Sequence, residues 1–285
     1  MSDGGAIPPL EPGEPQTPEI PQAAPSPEAS RGAVVAEDLD TPWDILDLVI
    51  LFVFSLGMLY LLSSVMATIA MVRYGIPRAG IDEFVKTNAG FVILRQVLWF
   101  GLILLFLAAV IRRRTARPFW RTIGWRPPRT GKMSMAGLVM ALLFGGMVLA
   151  VGADVAMQFY KTPKELPIEK LFTSRRNVEY IMLFGLLVAP LAEETVFRGY
   201  VYPVLARKFG ILSGIVFTGI LFGMVHVPQL LGGWGQIVTL VVVGMALTTA
   251  RALTRSVVAS YLVHLGYNGF LFAGMFLPEF VVRHL

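Results

Sequence analysis

From residue 45 onward the chain alternates long apolar runs with short polar breaks. The runs cover 45–72, 91–111, 133–157, 178–205, 211–231, 236–253 and 257–277. Each comes close to, or exceeds, the about 20 residues a helix needs to cross the hydrocarbon layer. Backbone groups in lipid must bond within the protein, and the period-two alternation of a membrane barrel is missing, so the runs predict helices. The pattern predicts an all-α polytopic membrane helix bundle of about seven transmembrane helices. An eighth helix, amphipathic and interfacial, is added if 166–180 folds as one. Residues 44–285 then form the membrane domain.

Residues 1–43 follow a different rule. The stretch "IPPLEPGEPQTPEIPQAAPSPEAS" is Pro-rich, acidic and without aromatic residues. It offers too little apolar surface to offset the entropy of ordering, which predicts a disordered tail. It lacks a basic start followed by an apolar segment and so does not read as a signal peptide.

Composition agrees with a membrane solvent: 55% of residues are hydrophobic and 15% charged, against about 45–50% and about 25% in soluble domains. With no cysteine, disulfides and thiolate metal sites are excluded. The net charge of +5 is concentrated in "IRRRTARPFWRTIGWRPPRTGK", residues 111–132, which hold eight Lys/Arg and no acid. Beside Trp120 and Trp125 this reads as a topology anchor in contact with anionic lipid, not as a nucleic-acid footprint. The positive-inside rule places the loop in the cytoplasm, and counting back two spans places the tail there too. A bacterial inner membrane is the expected location. The segment after the third span opposes this with Lys161, Lys164, Lys170, Arg175 and Arg176, partly balanced by Glu165, Glu169 and Glu179.

Charged groups at mid-bilayer cost about 2.5–3.5 kcal/mol each on insertion scales. In the first three spans, Arg95 and Asp154 lie near helix ends. The last four spans hold Glu193, Glu194, Arg198, His226, His264 and Asn268, a segregation that predicts a common cavity. Glu194 and Arg198 share a helix face at i,i+4 and can form a structural ion pair. Glu193 stands about 100° round the helix and is left without that cation. His264 and Asn268 stack four apart on the last span, and Phe222 and His226 repeat the spacing on the fifth. Pro190 frees a carbonyl just before the glutamates and favours a bend. Each histidine, and Asn268, has an alternative role as interhelical hydrogen-bond glue. Together, one free carboxylate, two histidines and an amide form an acid/base and oxyanion set. His284, at the chain end, is given no role.

Three short motifs carry a resemblance. "EETVFR" (193–198) fits EExxxR, "FGMVH" (222–226) fits FxxxH, and "HLGYN" (264–268) fits HxxxN. In that order, on separate late helices, they resemble the CPBP family of CAAX-processing (Abi-type) intramembrane proteases, over about 178–275. The resemblance implies that Glu193 activates water with help from His226. It implies that His264 and Asn268 donate to the oxyanion and that Glu194 with Arg198 holds the helix. The implied substrate is a membrane-associated, lipid-anchored or C-terminally anchored protein, cut without a covalent enzyme intermediate. No cofactor is expected. Zinc held by Glu193, His226 and His264 is the alternative, although the HExxH signature is absent. Two other functions compete: a non-catalytic relative serving immunity or as a scaffold, and a proton-coupled transporter, for which paired broken helices in both halves would be expected.

Overall fold

The computed structural model describes residues 39–160, 166–172 and 174–284, with side chains through residue 274. The expected disordered tail falls outside these residues up to 38. Among the described residues, six helices are long and apolar enough to cross a membrane: α1 (Ile45–Tyr74), α2 (Ala89–Arg114), α3 (Met135–Met157), α4 (Arg175–Phe209), α6 (Trp234–Thr254) and α7 (Val257–His284), the last judged over Val257–Gly274. Between α4 and α6 lies α5 (Ile211–Val225), apolar but only 15 residues long. At 1.5 Å per residue it spans about 22 Å, short of the about 30 Å hydrocarbon core.

The multi-pass bundle is therefore as expected, but the fifth run stops early. The sequence after Val225, "HVPQLLGG", puts Pro228, Gly232 and Gly233 where a helix would need backbone donors and helical dihedrals. His226 consequently caps α5 from its C-terminal end instead of lying inside a span. The interfacial helix considered for 166–180 does not form as one unit. A 3-10 turn occupies Pro167–Leu171, and Ser174 caps the start of α4 by accepting from the Asn177 N–H.

Other helix ends follow local chemistry. Asp44 and Asp47 form a reciprocal capping box on α1. Gly75, at φ 64°, ends that helix in the left-handed region open to glycine. Ser134 caps α3 by accepting from the Gly137 N–H.

One end of the bundle collects four helix termini. Arg114, at the end of α2, pairs with Asp47 of α1 at 2.7 Å and donates to the Pro42 carbonyl. Arg207, near the end of α4, donates to the Thr41 and Trp43 carbonyls. The Val257 N–H at the start of α7 donates to the carbonyl of Gly124, in the basic segment after α2. Leu39 and Trp43 are buried there, and the Trp43 indole stacks on Tyr200 while donating to its carbonyl at 2.9 Å.

The two largest of four apolar clusters among the described residues fill most of the interior. One joins α1, α2, Ile123 and the end of α4 through Trp43, Leu107, Ile111, Tyr200 and Val204. The other draws on α3 to α7 through Ala150, Phe197, Phe222, Leu247, Val263 and Tyr267. Large apolar side chains on the outward faces, such as Phe52, Leu105 and Phe144, stay exposed, as a lipid solvent permits.

The contact between α3 and α7 is nearly backbone on backbone. A Cβ at Gly266 would lie 2.1 Å from the Leu143 carbonyl oxygen, and one at Gly146 would lie 2.0 Å from that of Val263. Small residues of this kind let membrane helices approach closely. Gly266→Ala is therefore expected to push α7 off α3 and cost about 1–3 kcal/mol, as overpacking does. A lowered thermal midpoint in detergent would show it. Gly152→Ala, where nothing lies within 4 Å of the added Cβ, should leave the midpoint unchanged.

Candidate active site

The site begins with an irregular helix. Within α4, residues Phe184–Val188 and Thr195–Val201 are π-helical, and Ala189–Glu194 between them is α-helical. Each π segment precedes a proline, Pro190 or Pro203. A proline lacks its N–H and its ring crowds the carbonyl four residues back, and widening the turn relieves both conflicts. The Ala189 N–H reaches back five residues to the Phe184 carbonyl. In the same register the Gly185 carbonyl faces Pro190, which has no hydrogen to give. Asn268 of α7 fills that role, its Nδ2 donating to the Gly185 carbonyl at 2.8 Å.

The two glutamates at the centre of α4 face different surroundings. Glu194 and Arg198 have 0% side-chain exposure and lie 2.8 Å apart, whereas Glu193 keeps 16%. Arg198 also donates from Nη2 to the Gly244 carbonyl at 2.8 Å and from Nε to the Thr248 hydroxyl at 3.3 Å. Its guanidinium carbon stands 4.6 Å from the centre of the Phe222 ring. One buried cation thus ties α4 to α5 and α6.

Glu194 does more than pair with Arg198. The same oxygen, Oε1, lies 2.8 Å from His264 Nδ1. An ionised carboxylate only accepts, so Nδ1 carries the proton and Nε2 points away from Glu194. His226 Nδ1 lies 2.7 Å from the Phe222 carbonyl, which also only accepts, and the same tautomer follows. That carbonyl is in the last turn of α5, where no intrahelical donor remains.

Both imidazoles therefore turn Nε2 towards one place, and Glu193 is there. Its Oε1 lies 3.9 Å from His226 Nε2 and its Oε2 lies 3.9 Å from His264 Nε2. These separations exceed a direct hydrogen bond and fit a bridged one. Phe222 forms a wall, with ring centres 4.9 Å from His226 and 5.9 Å from His264. The structure thus brings Glu193, His226 and His264 around one space and joins Glu194, Arg198 and His264 in one chain of bonds. Asn268, one turn beyond His264, has one amide hydrogen committed to α4 and a second one left.

Among the described residues, no group of three or more His, Cys, Asp or Glu is placed to hold a metal ion. The 3.9 Å separations around Glu193 are wider than the about 3.3 Å between ligands of a tetrahedral zinc at about 2.0–2.1 Å.

Sequence reasoning missed three supports. On α6, Gly244 and Thr248 receive Arg198. Only the hydroxyls of "ALTTA" in an apolar run signalled a polar face there. The bond from His264 to Glu194 had no local signature. Nor did Trp125 of the basic segment, whose Nε1 donates to the Thr195 hydroxyl at 2.9 Å, next to the glutamates.

Residues 176–270 match the family model described as Rce1-like: Type II CAAX prenyl endopeptidase Rce1-like. This region thus resembles the domain of a family of CAAX prenyl endopeptidases. It runs from the start of α4 to just past Asn268, and the match leaves α1 to α3 outside. No curated protein and no solved structure matches the chain.

Proposed function

We propose that this Rce1-like domain is an intramembrane endopeptidase, hydrolysing a peptide bond of a membrane-associated or C-terminally anchored protein with water activated by Glu193. The observation that carries the reading is the meeting of Glu193 with both Nε2 atoms at 3.9 Å, each ring fixed from behind. A water bridging Glu193 and His226 gives one proton to the carboxylate while its oxygen attacks the scissile carbonyl. The proton then passes to the leaving amine, so no covalent enzyme intermediate forms.

Charge developing on the carbonyl oxygen needs donors. In its doubly protonated form His264 keeps Nδ1–H on Glu194 and turns Nε2–H to the oxyanion. The second amide hydrogen of Asn268 completes the pair. Glu194 is then a positioning residue as well as the counter-ion of Arg198. Residues 111–132 lie on the cytoplasmic side with the N-terminus, and the catalytic core covers about 178–275.

The test is a comparison of C-termini across the membrane proteome with and without the protein, with Glu193→Gln as the inactive control. Peptides lost only in the presence of the wild type identify the substrate, and an identical set in all three sinks the reading. Asn268→Ala is expected to lower turnover about 10²–10³-fold, as removal of one oxyanion donor does. A variant that loses thermal stability and keeps its turnover would leave Asn268 as helix glue alone. Incubating purified protein with EDTA should leave cleavage unchanged, and inhibition reversed by zinc would restore the metal alternative at Glu193, His226 and His264.

A further inference from the structure

The segment between α2 and α3 is attached to the site at several points. Trp125 donates to Thr195 of α4 at 2.9 Å, and its ring packs 5.4 Å from that of Tyr261, one turn before His264 on α7. The Gly124 carbonyl accepts from the Val257 N–H, and the Arg126 carbonyl accepts from the Ser256 hydroxyl. Ile123 is buried against α4, its carbonyl so near Gly199 that a Cβ there would lie 2.9 Å away. This segment is a wedge between the helix that carries Glu193 and Glu194 and the helix that carries His264.

The wedge and the last turn of α2 before it carry exposed cations that have no counter-charge among the described residues. Arg112, Arg113, Arg117, Arg121, Arg129 and Lys132 are exposed. None of them forms an ion pair or side-chain hydrogen bond among the described residues. The segment follows directly on a membrane-crossing helix, which sets it at headgroup depth. Trp120, 48% exposed, packs edge-on against Trp125 with ring centres 6.0 Å apart. Indole at the interface and cations next to it are the pairing that anionic headgroups attract.

We propose that anionic phospholipid headgroups bind these six exposed cations and, through Trp125, fix the spacing of α4 and α7 at the site. Lipid composition then sets how well Glu193 and His264 are held together. The effect goes beyond the proposed hydrolysis and is readable without a substrate. Near a surface each cation contributes about fivefold to binding of anionic lipid (~1 kcal/mol). Raising salt towards molar weakens it as the screening length falls to about 3 Å.

The full chain is placed in nanodiscs of phosphatidylcholine alone or with phosphatidylglycerol. Thermal midpoint and amide hydrogen exchange over 191–199 and 257–264 are then measured. For each variant the reading is the difference between the two lipids, so that a merely less stable protein does not mimic a loss. Wild type should gain midpoint and protection with phosphatidylglycerol. Replacing Arg117, Arg121 and Arg129 by Gln should remove the gain. Trp125→Phe should still retain co-purified phosphatidylglycerol but lose the added protection over 191–199. Equal values in both discs for wild type, or an undiminished gain in the triple variant, would overturn the proposal. So would a dependence on Glu28 and Glu37 instead of on lipid, which would make the chain's own acidic segment the occupant.

Discussion

Glu193→Gln is expected to lower peptide hydrolysis about 10²–10⁴-fold while the folded protein stays as stable as the wild type. The first half follows from proton transfer. Gln has the shape of Glu but cannot accept a proton from water, and a positioned general base contributes about 10²–10⁴-fold. The second half follows from the contacts. Glu193 is partly exposed, and the two imidazoles nearest it stand 3.9 Å away, so the amide disrupts no tight bond and the change should fall within about 0.5 kcal/mol. Single-turnover cleavage of an identified substrate and a thermal midpoint in the same detergent check both halves. Cleavage within tenfold of wild type would remove Glu193 as the base. Loss of stability along with activity would mean that Glu193 is structural.

Arg198→Met should have the largest effect on stability of any substitution at the site. It leaves Glu194 fully buried without its cation, and breaking a buried pair from one side costs about 3–5 kcal/mol. It also removes the donors to the Gly244 carbonyl and the Thr248 hydroxyl that hold α6 against α4. The double variant Glu194→Leu with Arg198→Met should recover much of that stability, because no uncompensated charge remains. Its hydrolysis should nevertheless stay low, since His264 Nδ1 loses its acceptor and the ring its fixed orientation. Thermal midpoints for the single and double variants, read beside cleavage rates, separate the two roles of Glu194. A double variant with normal turnover would show that the bond to His264 does not matter for catalysis.

The sequence by itself determined the solvent, the helical class and the identities of the polar residues. Apolar runs of spanning length leave the backbone few options in lipid, and six intramembrane polar groups confined to the last four runs mark one region. It also determined that Glu194 and Arg198 pair, since i,i+4 geometry is local to one helix. Local rules did not determine where the fifth helix ends in effect: Pro228 and the glycines were visible, yet an apolar count carried the run on to 231. Only the tertiary structure decided which atom of each histidine faces Glu193. That depends on the carbonyl of Phe222 in one case and on Glu194, on a different helix, in the other. It alone decided that Asn268 answers the carbonyl stranded by Pro190, and that Trp125 reaches Thr195 from a loop 70 residues away in sequence. Hydrogen bonds between helices have no period along the chain. Their partners are set by how closely α3 and α7 meet at Gly146 and Gly266 and by how α4 widens around its prolines, and both are properties of the packed bundle.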